Sequence, residues 1–254
     1  MSAFSPAWLR LREPADADAR AVDLVDALKI HLNPPPLVVR DIGCGTGSLG
    51  RWLAGRLPGP QHWVLHDRDA RLLALARSEV TGPGVTVEAH VGDLAALTAA
   101  DLAGTSLVTA SALLDVLTAG QVRGLAAACA GRPALFALSV VGRVEFASPE
   151  PLDARFQAAF NDHQRRGGLL GPDAVGVAAA AFAELGARVT TSPSPWRLGP
   201  ERRGLAAEWL RGWVGAAVEQ EPDLADVAPD YLRRRLAGGP EVVVHHEDLL
   251  AVPG

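Results

Sequence analysis

Leu37-Val38-Val39-Arg40-Asp41-Ile42-Gly43-Cys44-Gly45-Thr46-Gly47 is the segment that most clearly indicates the fold of this chain. An apolar run reaches an acidic residue, three glycines follow at alternate positions, and residues 48–57 then carry apolar side chains at helical spacing. A strand, a tight glycine turn and a helix are how open α/β sheets hold nucleotide-like ligands, because glycine has no Cβ and lets a ligand lie against the backbone. We therefore expect an adenosine-containing cofactor at this loop.

Two kinds of cofactor fit the glycine pattern. Residues 45–50 match the G-x-G-x-x-G spacing of dinucleotide binders, but that spacing alone is a weak signal. The longer string, with Asp41, Gly43, Gly45 and Gly47 at alternate positions, resembles the first motif of class I S-adenosylmethionine-dependent methyltransferases. A dinucleotide places a pyrophosphate at the helix N-terminus, whereas S-adenosylmethionine has no phosphate. The resemblance implies that the glycines surround its methionine end and that Asp41 meets the ammonium group, directly or through water.

Two further segments follow in the order that the resemblance implies. Residues 63–67 predict a second strand that ends in Asp67, about 20 residues beyond the loop, where a ribose-binding carboxylate is expected. The two oxygens of Asp67 can accept both ribose hydroxyls, and its neighbour Arg68 is assigned to the same site. A third strand at 85–91 leads to Asp93 and Leu94. In the family, an acid at this place accepts from the adenine amino group while its neighbour packs on the ring.

The remaining core strands complete a predicted fold. Residues 106–111 predict a fourth strand, which ends at Ser111 and brings that residue to the cofactor, and 134–140 predict a buried fifth strand. The resemblance implies a Rossmann-like α/β sheet of seven strands, the last antiparallel, with a helical insertion between the sixth and seventh. We expect one domain over 1–254, with its core at about 21–193 and 241–252. An N-terminal arm at 1–20 and insertions at about 142–171 and 194–240 lie outside that core.

The segments outside the core are where the choice of acceptor should be made. In the arm, Arg12 or Arg20 could meet the methionine carboxylate by a charge-assisted fork, or both could be surface charges. Residues 156–163 predict a helix with one aromatic face that includes Phe160. Trp196 and Arg197 follow the sixth strand at the expected mouth of the sheet. We assign Arg12, Phe160, Trp196 and Arg197 to the acceptor side, and Trp209 and Trp213 to packing of the second insertion.

Methyl transfer from a sulfonium requires few catalytic groups, because the methyl group is already an activated electrophile. A general base is needed only when the acceptor must lose a proton at a costly stage. The candidates are His163, Asp115 and Glu145, with His163 and Asp115 preferred. His163 could instead be structural, and Asp115 could be an exposed acid at a helix N-terminus.

Composition excludes several other classes. The chain has 254 residues and a formal net charge of −5, which argues against a general nucleic-acid binder. Its two cysteines form no disulfide framework or metal pattern, and we expect no metal. No signal-like segment and no run of about 18 apolar residues is present, so a cytoplasmic protein without a membrane span is expected. A homodimer through the 194–240 insertion stays open.

The sequence thus predicts a methyltransferase that uses S-adenosylmethionine and acts on a small molecule. Ser111-Ala112-Leu113-Leu114 stands where enzymes that methylate adenine bases or protein glutamine carry Asn-Pro-Pro-Tyr, which favours a small organic acceptor. One alternative is a module that binds the cofactor without catalysis. Another is a nicotinamide-dependent oxidoreductase, which Asp41 and Asp93 disfavour.

Overall fold

The computed structural model describes residues 5–93 and 97–254. These residues form one sheet in the order β3-β2-β1-β4-β5-β8-β6, and a short strand β7 pairs with β8. The strands are β1 (Leu37–Ile42), β2 (Gln61–Asp67), β3 (Val85–Val91), β4 (Leu107–Ser111), β5 (Ala134–Phe146), β6 (Ala187–Pro193), β7 (Trp196–Leu198) and β8 (Val242–Pro253). The helices are α1 (Pro6–Ala19), α2 (Val22–Lys29), α3 (Ser48–Ala54), α4 (Ala70–Glu79), α5 (Ala119–Cys129), α6 (Asp153–Gln164), α7 (Ala174–Glu184), α8 (Arg203–Gln220) and α9 (Ala228–Ala237).

The first five strands run parallel. Strand β1 pairs with β2 and β4, β2 pairs with β3, and β4 pairs with β5. Because parallel strands end at the same edge, the glycine loop after β1, Asp67 at the end of β2 and Ser111 at the end of β4 meet at the carboxyl edge of the sheet. Strand β8 closes the sheet by pairing antiparallel with both β5 and β6. The predicted fold class is confirmed, with the three-residue strand β7 as an addition that the sequence did not predict.

Two apolar clusters cover the faces of this sheet. One face packs on α2, α3 and α4 through residues such as Leu28, Leu53 and Leu73, and the other packs on α5 and α7. Local signals define the helix starts: the Asp69 carboxylate accepts from Arg71 N at 2.9 Å ahead of α4, and Thr118 and Gln121 form a capping box ahead of α5. The helices therefore hold the strand ends, and the loops between them, in a fixed arrangement.

The second insertion contains the two predicted helices, as α8 and α9. They pack with α6 in a third apolar cluster that includes Phe156, Trp213 and Tyr231. Two features differ from expectation. Strand β5 continues to Phe146, because its far end pairs with β8, so the first insertion begins after that residue and not at Gly142. The arm at 1–20 contains a helix that the sequence did not predict, α1, which ends at Ala19 and in which Asp16 is buried.

Candidate active site

A cavity of about 1390 Å³ opens at the carboxyl edge of the sheet. Pockets for a single small ligand usually measure about 300–1,000 Å³, so this one has room for a cofactor and a second molecule. Its lining runs from the loops after β1, β2 and β3 to residues of β5, α6, β7 and α8. We call the first part the loop end, represented by Gly43, Gly45 and Asp67. The second part is the distal end, represented by Asp115 and the side chains of α6.

The three glycines of the loop have different structural roles. Gly43 and Gly45 line the cavity with backbone φ angles of 64° and 55°, which residues with a Cβ rarely adopt. Gly47, at φ 83°, does not line it. A Cβ on Gly47 would lie 2.8 Å from Val80 Cγ2 and 3.1 Å from Ala76 Cα. Gly47 therefore permits close packing of the loop against α4, and its predicted place in the cofactor site is corrected.

Asp41 lies beneath the loop and is completely buried. Its Oδ1 accepts from Thr109 Oγ1 at 2.8 Å, while Oδ2 has no hydrogen-bond partner. Burial raises the pKa of Asp41 to about 7. Asp41 does not line the cavity, so of its two predicted routes to the cofactor the one through water fits this geometry.

Asp67 lines the loop end and fixes the loop at the same time. Its Oδ2 accepts from Gly45 N at 2.8 Å, and its Oδ1 accepts from Asp69 N at 2.9 Å. Each carboxylate oxygen has a second lone pair, so both remain able to accept from ligand hydroxyls. The exposed residues Arg68 and Asp93 also line this end, whereas Leu94 lies outside the described residues.

Arg20 is a buried cation at the junction of the two ends. Its Nη2 donates to Ser48 Oγ at 3.0 Å and lies 3.5 Å from Ser111 Oγ, and its Nε has no partner. Burial lowers the pKa of Arg20, opposed by the charges of Asp16, Asp248 and Asp41. A guanidinium stays protonated in proteins, so this cation can bind an anionic group. Arg20 and Ser111 thus meet at the cavity, although one follows α1 and the other ends β4.

Helix α1 lies across the glycine loop. Glu13 forms an ion pair of 2.6 Å with Arg51 of α3, and Leu9 Cδ1 comes within 3.6 Å of where a Cβ on Gly45 would stand. Arg12 lines the cavity, but its Nε is held by Asp16 at 2.9 Å. Because Arg12 already has its counter-ion, Arg20 is the better placed of the two arginines to meet a carboxylate.

At the distal end the predicted residues separate into two groups. Asp115, Phe160, His163 and Trp196 line the cavity. Trp196 is buried and donates from Nε1 to Asp16 Oδ1 at 2.9 Å, and His163 Nε2 lies 3.1 Å from Glu219 Oε2 on α8. The alternative of an exposed Asp115 at a helix N-terminus is wrong, because its Oδ1 is buried and without a partner. Burial raises the pKa of this carboxyl.

Two candidate site residues, Arg197 and Glu145, lie outside the cavity. Side chains alternate along a strand, so Arg197 points to solvent between the buried Trp196 and Leu198. Glu145 is exposed on β5, where it pairs with Arg143. Neither residue lines the cavity, which corrects their assignment as an acceptor contact and a candidate base.

Sequence reasoning missed three polar residues of the distal end, namely Asn161, Gln164 and His246. Asn161 and Gln164 follow Phe160 by one and four positions, so the helical repeat that selected Phe160 and His163 could have found Gln164. His246 comes from the buried strand β8, and burial lowers its pKa to about 3, so its ring is neutral near pH 7. Nothing in the sequence around His246 indicates that β8 reaches the cavity.

Comparison with known proteins identifies the type of domain. Residues 39–131 match the family model described as a methyltransferase domain. No curated protein matches the sequence. Among solved structures, a cyclopropane synthase from Mycobacterium tuberculosis is similar with a TM-score of 0.54 and 14% identity, over 98% of this chain and 94% of that one. A methyltransferase from Geobacter sulfurreducens, solved with S-adenosyl-L-homocysteine, has a TM-score of 0.50 and 16% identity, over 98% and 99%.

At these identities the likeness shows a shared fold. In the described part of the chain, no helix is both long and apolar enough to cross a membrane.

Proposed function

We propose that this chain is a class I methyltransferase that transfers a methyl group from S-adenosylmethionine to a small-molecule acceptor. The match of residues 39–131 to a methyltransferase domain and the strand order of the sheet support this proposal. One observation carries the proposal. A single cavity contains the glycine loop and Asp67 at one end and a separate polar and aromatic lining at the other. Two molecules can therefore meet inside it.

The loop end fits S-adenosylmethionine by the chemistry of its side chains. Asp67 retains lone pairs for the two ribose hydroxyls, and Asp93 lies at the place expected for the adenine. Arg20 Nε is a buried donor without a partner, which suits the methionine carboxylate. Asp41 Oδ2 is a buried acceptor without a partner, which suits the ammonium group through water. The polar groups that this protein leaves unpaired thus correspond to opposite charges on the cofactor.

When bound, S-adenosylmethionine supplies a methyl group on a positively charged sulfur. The residues of this chain then have to position the acceptor and exclude water. Helix α1, with Leu9 above Gly45, covers the loop end, and Trp196 closes the wall between α1 and β8. If the acceptor must lose a proton, Asp115 is the group to accept it, because its carboxylate has an unpaired oxygen while His163 is already held by Glu219.

Calorimetric titration with S-adenosylmethionine, S-adenosylhomocysteine and NAD tests the cofactor. We expect the first two to bind and NAD not to bind, and binding of NAD alone would overturn the proposal. Incubation with methyl-labelled S-adenosylmethionine and the small-molecule fraction of a cell extract then tests catalysis. Cofactor binding with no transfer of label to any extract would favour the binding module over the enzyme.

A further inference from the structure

Three buried acceptor oxygens at the distal end of the cavity have no hydrogen-bond partner, beside the unpaired ring nitrogen His246 Nδ1, which can donate or accept. Asp115 Oδ1, Asn161 Oδ1 and Gln164 Oε1 are buried, belong to residues that line this cavity, and have no hydrogen-bond partner. Buried polar atoms in folded proteins are normally paired, and an unpaired one destabilises the fold. Three such oxygens in one cavity are therefore a feature that a ligand with donor groups would complete.

The amide of Asn161 is fixed with its oxygen unpaired. Its Nδ2 donates to the carbonyl of Gly142 at 2.8 Å. Gly142 has φ 71°, and a Cβ there would lie 2.8 Å from the same Nδ2, so the absence of a side chain permits this contact. Turning the amide over would break that bond and bring an oxygen against a carbonyl. Asn161 therefore offers an acceptor and not a donor.

The cations at the distal end are already neutralised. Arg12 pairs with Asp16 at 2.9 Å, Arg143 pairs with Glu145, and His163 lies 3.1 Å from Glu219. Asp115 has no ion pair of this kind among the described residues. Its burial raises the pKa of the carboxyl, and the more distant charge of Arg12 opposes this shift only in part. Apart from Arg20 at the junction, which is assigned to the cofactor carboxylate, an anionic group would find no cation without a counter-ion among the described residues of the distal end. An ammonium group would find an unpaired carboxylate there.

Aromatic side chains supply the rest of this wall. Phe160, Trp196 and Trp209 line the same end and offer flat apolar surface beside the polar groups. We infer that the methyl acceptor is an amine on an apolar body, whose N–H groups pair with Asp115, Asn161 and Gln164, and that it carries no carboxylate or phosphate at this end. Its ammonium form would pass one proton to Asp115, and the lone pair of the neutral amine would then form the bond to the methyl carbon as the carbon–sulfur bond breaks. This inference rests on the proposed function, since it takes the distal end as the acceptor site.

Three probes that share one ring system test it: tryptamine, tryptophol and indole-3-propionate, which carry an amine, a hydroxyl and a carboxylate. Binding is measured by saturation-transfer NMR and calorimetry, with and without S-adenosylhomocysteine. We expect tryptamine to bind about ten- to hundredfold more tightly than indole-3-propionate, the effect of one charge-assisted hydrogen bond, with tryptophol between them. Equal binding, preference for the carboxylate, or binding of none of the three would each overturn the inference.

Variants of Asp115 test whether a preference for the amine depends on its carboxylate. Asp115→Asn should reduce tryptamine affinity about tenfold and leave tryptophol affinity within about twofold, because only the amine loses a counter-charge. Asp226→Asn changes the same chemistry at an exposed site outside the cavity and should leave both affinities unchanged. A drop for Asp226→Asn equal to that for Asp115→Asn, or no drop for Asp115→Asn, would contradict the assignment.

The arms of the experiment separate the two proposals. Failure of S-adenosylhomocysteine to bind would reject the proposed function, and the amine preference could still be measured without it. Normal S-adenosylhomocysteine binding without an amine preference would reject the inference alone. Unchanged melting temperature and S-adenosylhomocysteine affinity in Asp115→Asn would show that the variant is folded and that the effect is confined to the distal end.

Discussion

Asp41 is a completely buried carboxylate with one unpaired oxygen, held under the loop that it was predicted to serve. At the level of single residues, the site contains several buried charged groups that lack a hydrogen-bond partner for one atom. Arg20, Asp41 and Asp115 each keep one unpartnered atom. Burying polar atoms without partners costs free energy, so these residues make the fold less stable than it would otherwise be. Ligand binding is the event that would recover this cost.

The first prediction concerns Asp41 and pH. Its folded-state pKa of about 7 lies above its unfolded value, so from about pH 4 to pH 7 the unfolded chain releases a proton that the folded chain keeps. Stability should therefore fall as the pH rises through this window, by on the order of 4 kcal/mol, and level off above it. In Asp41→Asn this contribution should vanish. Denaturant unfolding of both proteins at pH 5 and pH 8 measures it, and identical pH dependence in the two would contradict the prediction.

The second prediction concerns Asp67, which holds two backbone amides at 2.8 and 2.9 Å besides facing the cavity. Asp67→Ala should weaken S-adenosylmethionine binding tenfold or more and lower stability by about 1–3 kcal/mol, because Gly45 N and Asp69 N lose their partner. Asp67→Asn keeps one acceptor oxygen and should lose less of both. Calorimetry and chemical denaturation measure the effects. Asp230→Ala, which removes an exposed surface ion pair, is the control, and normal affinity in Asp67→Ala would reject the assigned site.

At the level of secondary-structure elements, the packing of the glycine loop and α3 against α4 requires the loop backbone to approach α4 closely. Gly47 precedes α3 in a left-handed conformation, and its Cα faces α4 at the distance where a methyl group would meet Val80 and Ala76. The third alternate glycine of the motif therefore serves packing in this chain, while Gly43 and Gly45 face the cavity. One sequence pattern thus combines two physical requirements.

Gly47→Ala is the third prediction. A left-handed conformation costs a residue with a Cβ about 1–2 kcal/mol, and overpacking against α4 adds about 1–3 kcal/mol. We expect a loss of about 2–5 kcal/mol in the free energy of unfolding, measured by denaturation in urea. Gly55→Ala is the matched control, because its φ is −74° and nothing lies within 4 Å of its added Cβ. Equal stabilities of the two variants would show that the close contact is unimportant.

At the scale of the whole molecule, the chain has a sheet with its flanking helices and a further layer made of α6, α8 and α9. Trp213 lies at the centre of that layer, fully buried, with Trp209, Phe156 and Phe146 all within 6 Å between ring centroids. The clusters that hold the layer together are separate from those that hold β1 and β4. We therefore expect the layer to loosen more easily than the sheet and the loop end.

The fourth prediction follows from this arrangement. Trp213→Ala should cost about 3–5 kcal/mol by leaving a cavity among the aromatic rings. Hydrogen exchange followed by mass spectrometry should show faster exchange in α6 and α8, with wild-type protection in β1 and β4. Leu185→Ala, at a position that is 51% exposed, should change neither. Uniform acceleration through the sheet would show that the layer and the sheet unfold together.

Local patterns in the sequence predicted the elements around the cofactor loop. Apolar runs, alternate glycines and strand-ending acids lie close together in the chain, so they predicted β1 to β5, the cofactor loop and the place of Asp67. The strand order and the antiparallel last strand followed from the resemblance that these residues carry. The helices of the second insertion were found because their apolar repeat is also local.

Packing between distant elements selects the side chains that reach the distal end and sets their charge. Arg20 meets Ser111 and Trp196 meets Asp16 across 91 and 180 positions of the chain. His246 lines the cavity from strand β8, far in the sequence from the glycine loop. Such contacts depend on how elements pack, which no short pattern contains. The exposure of Arg197 likewise depends on the register of β7, in which Trp196 and Leu198 face the interior and Arg197 faces solvent. The burial of Asp115 depends on the elements packed around it. Periodicity gives the face of an element, whereas packing decides what that face meets.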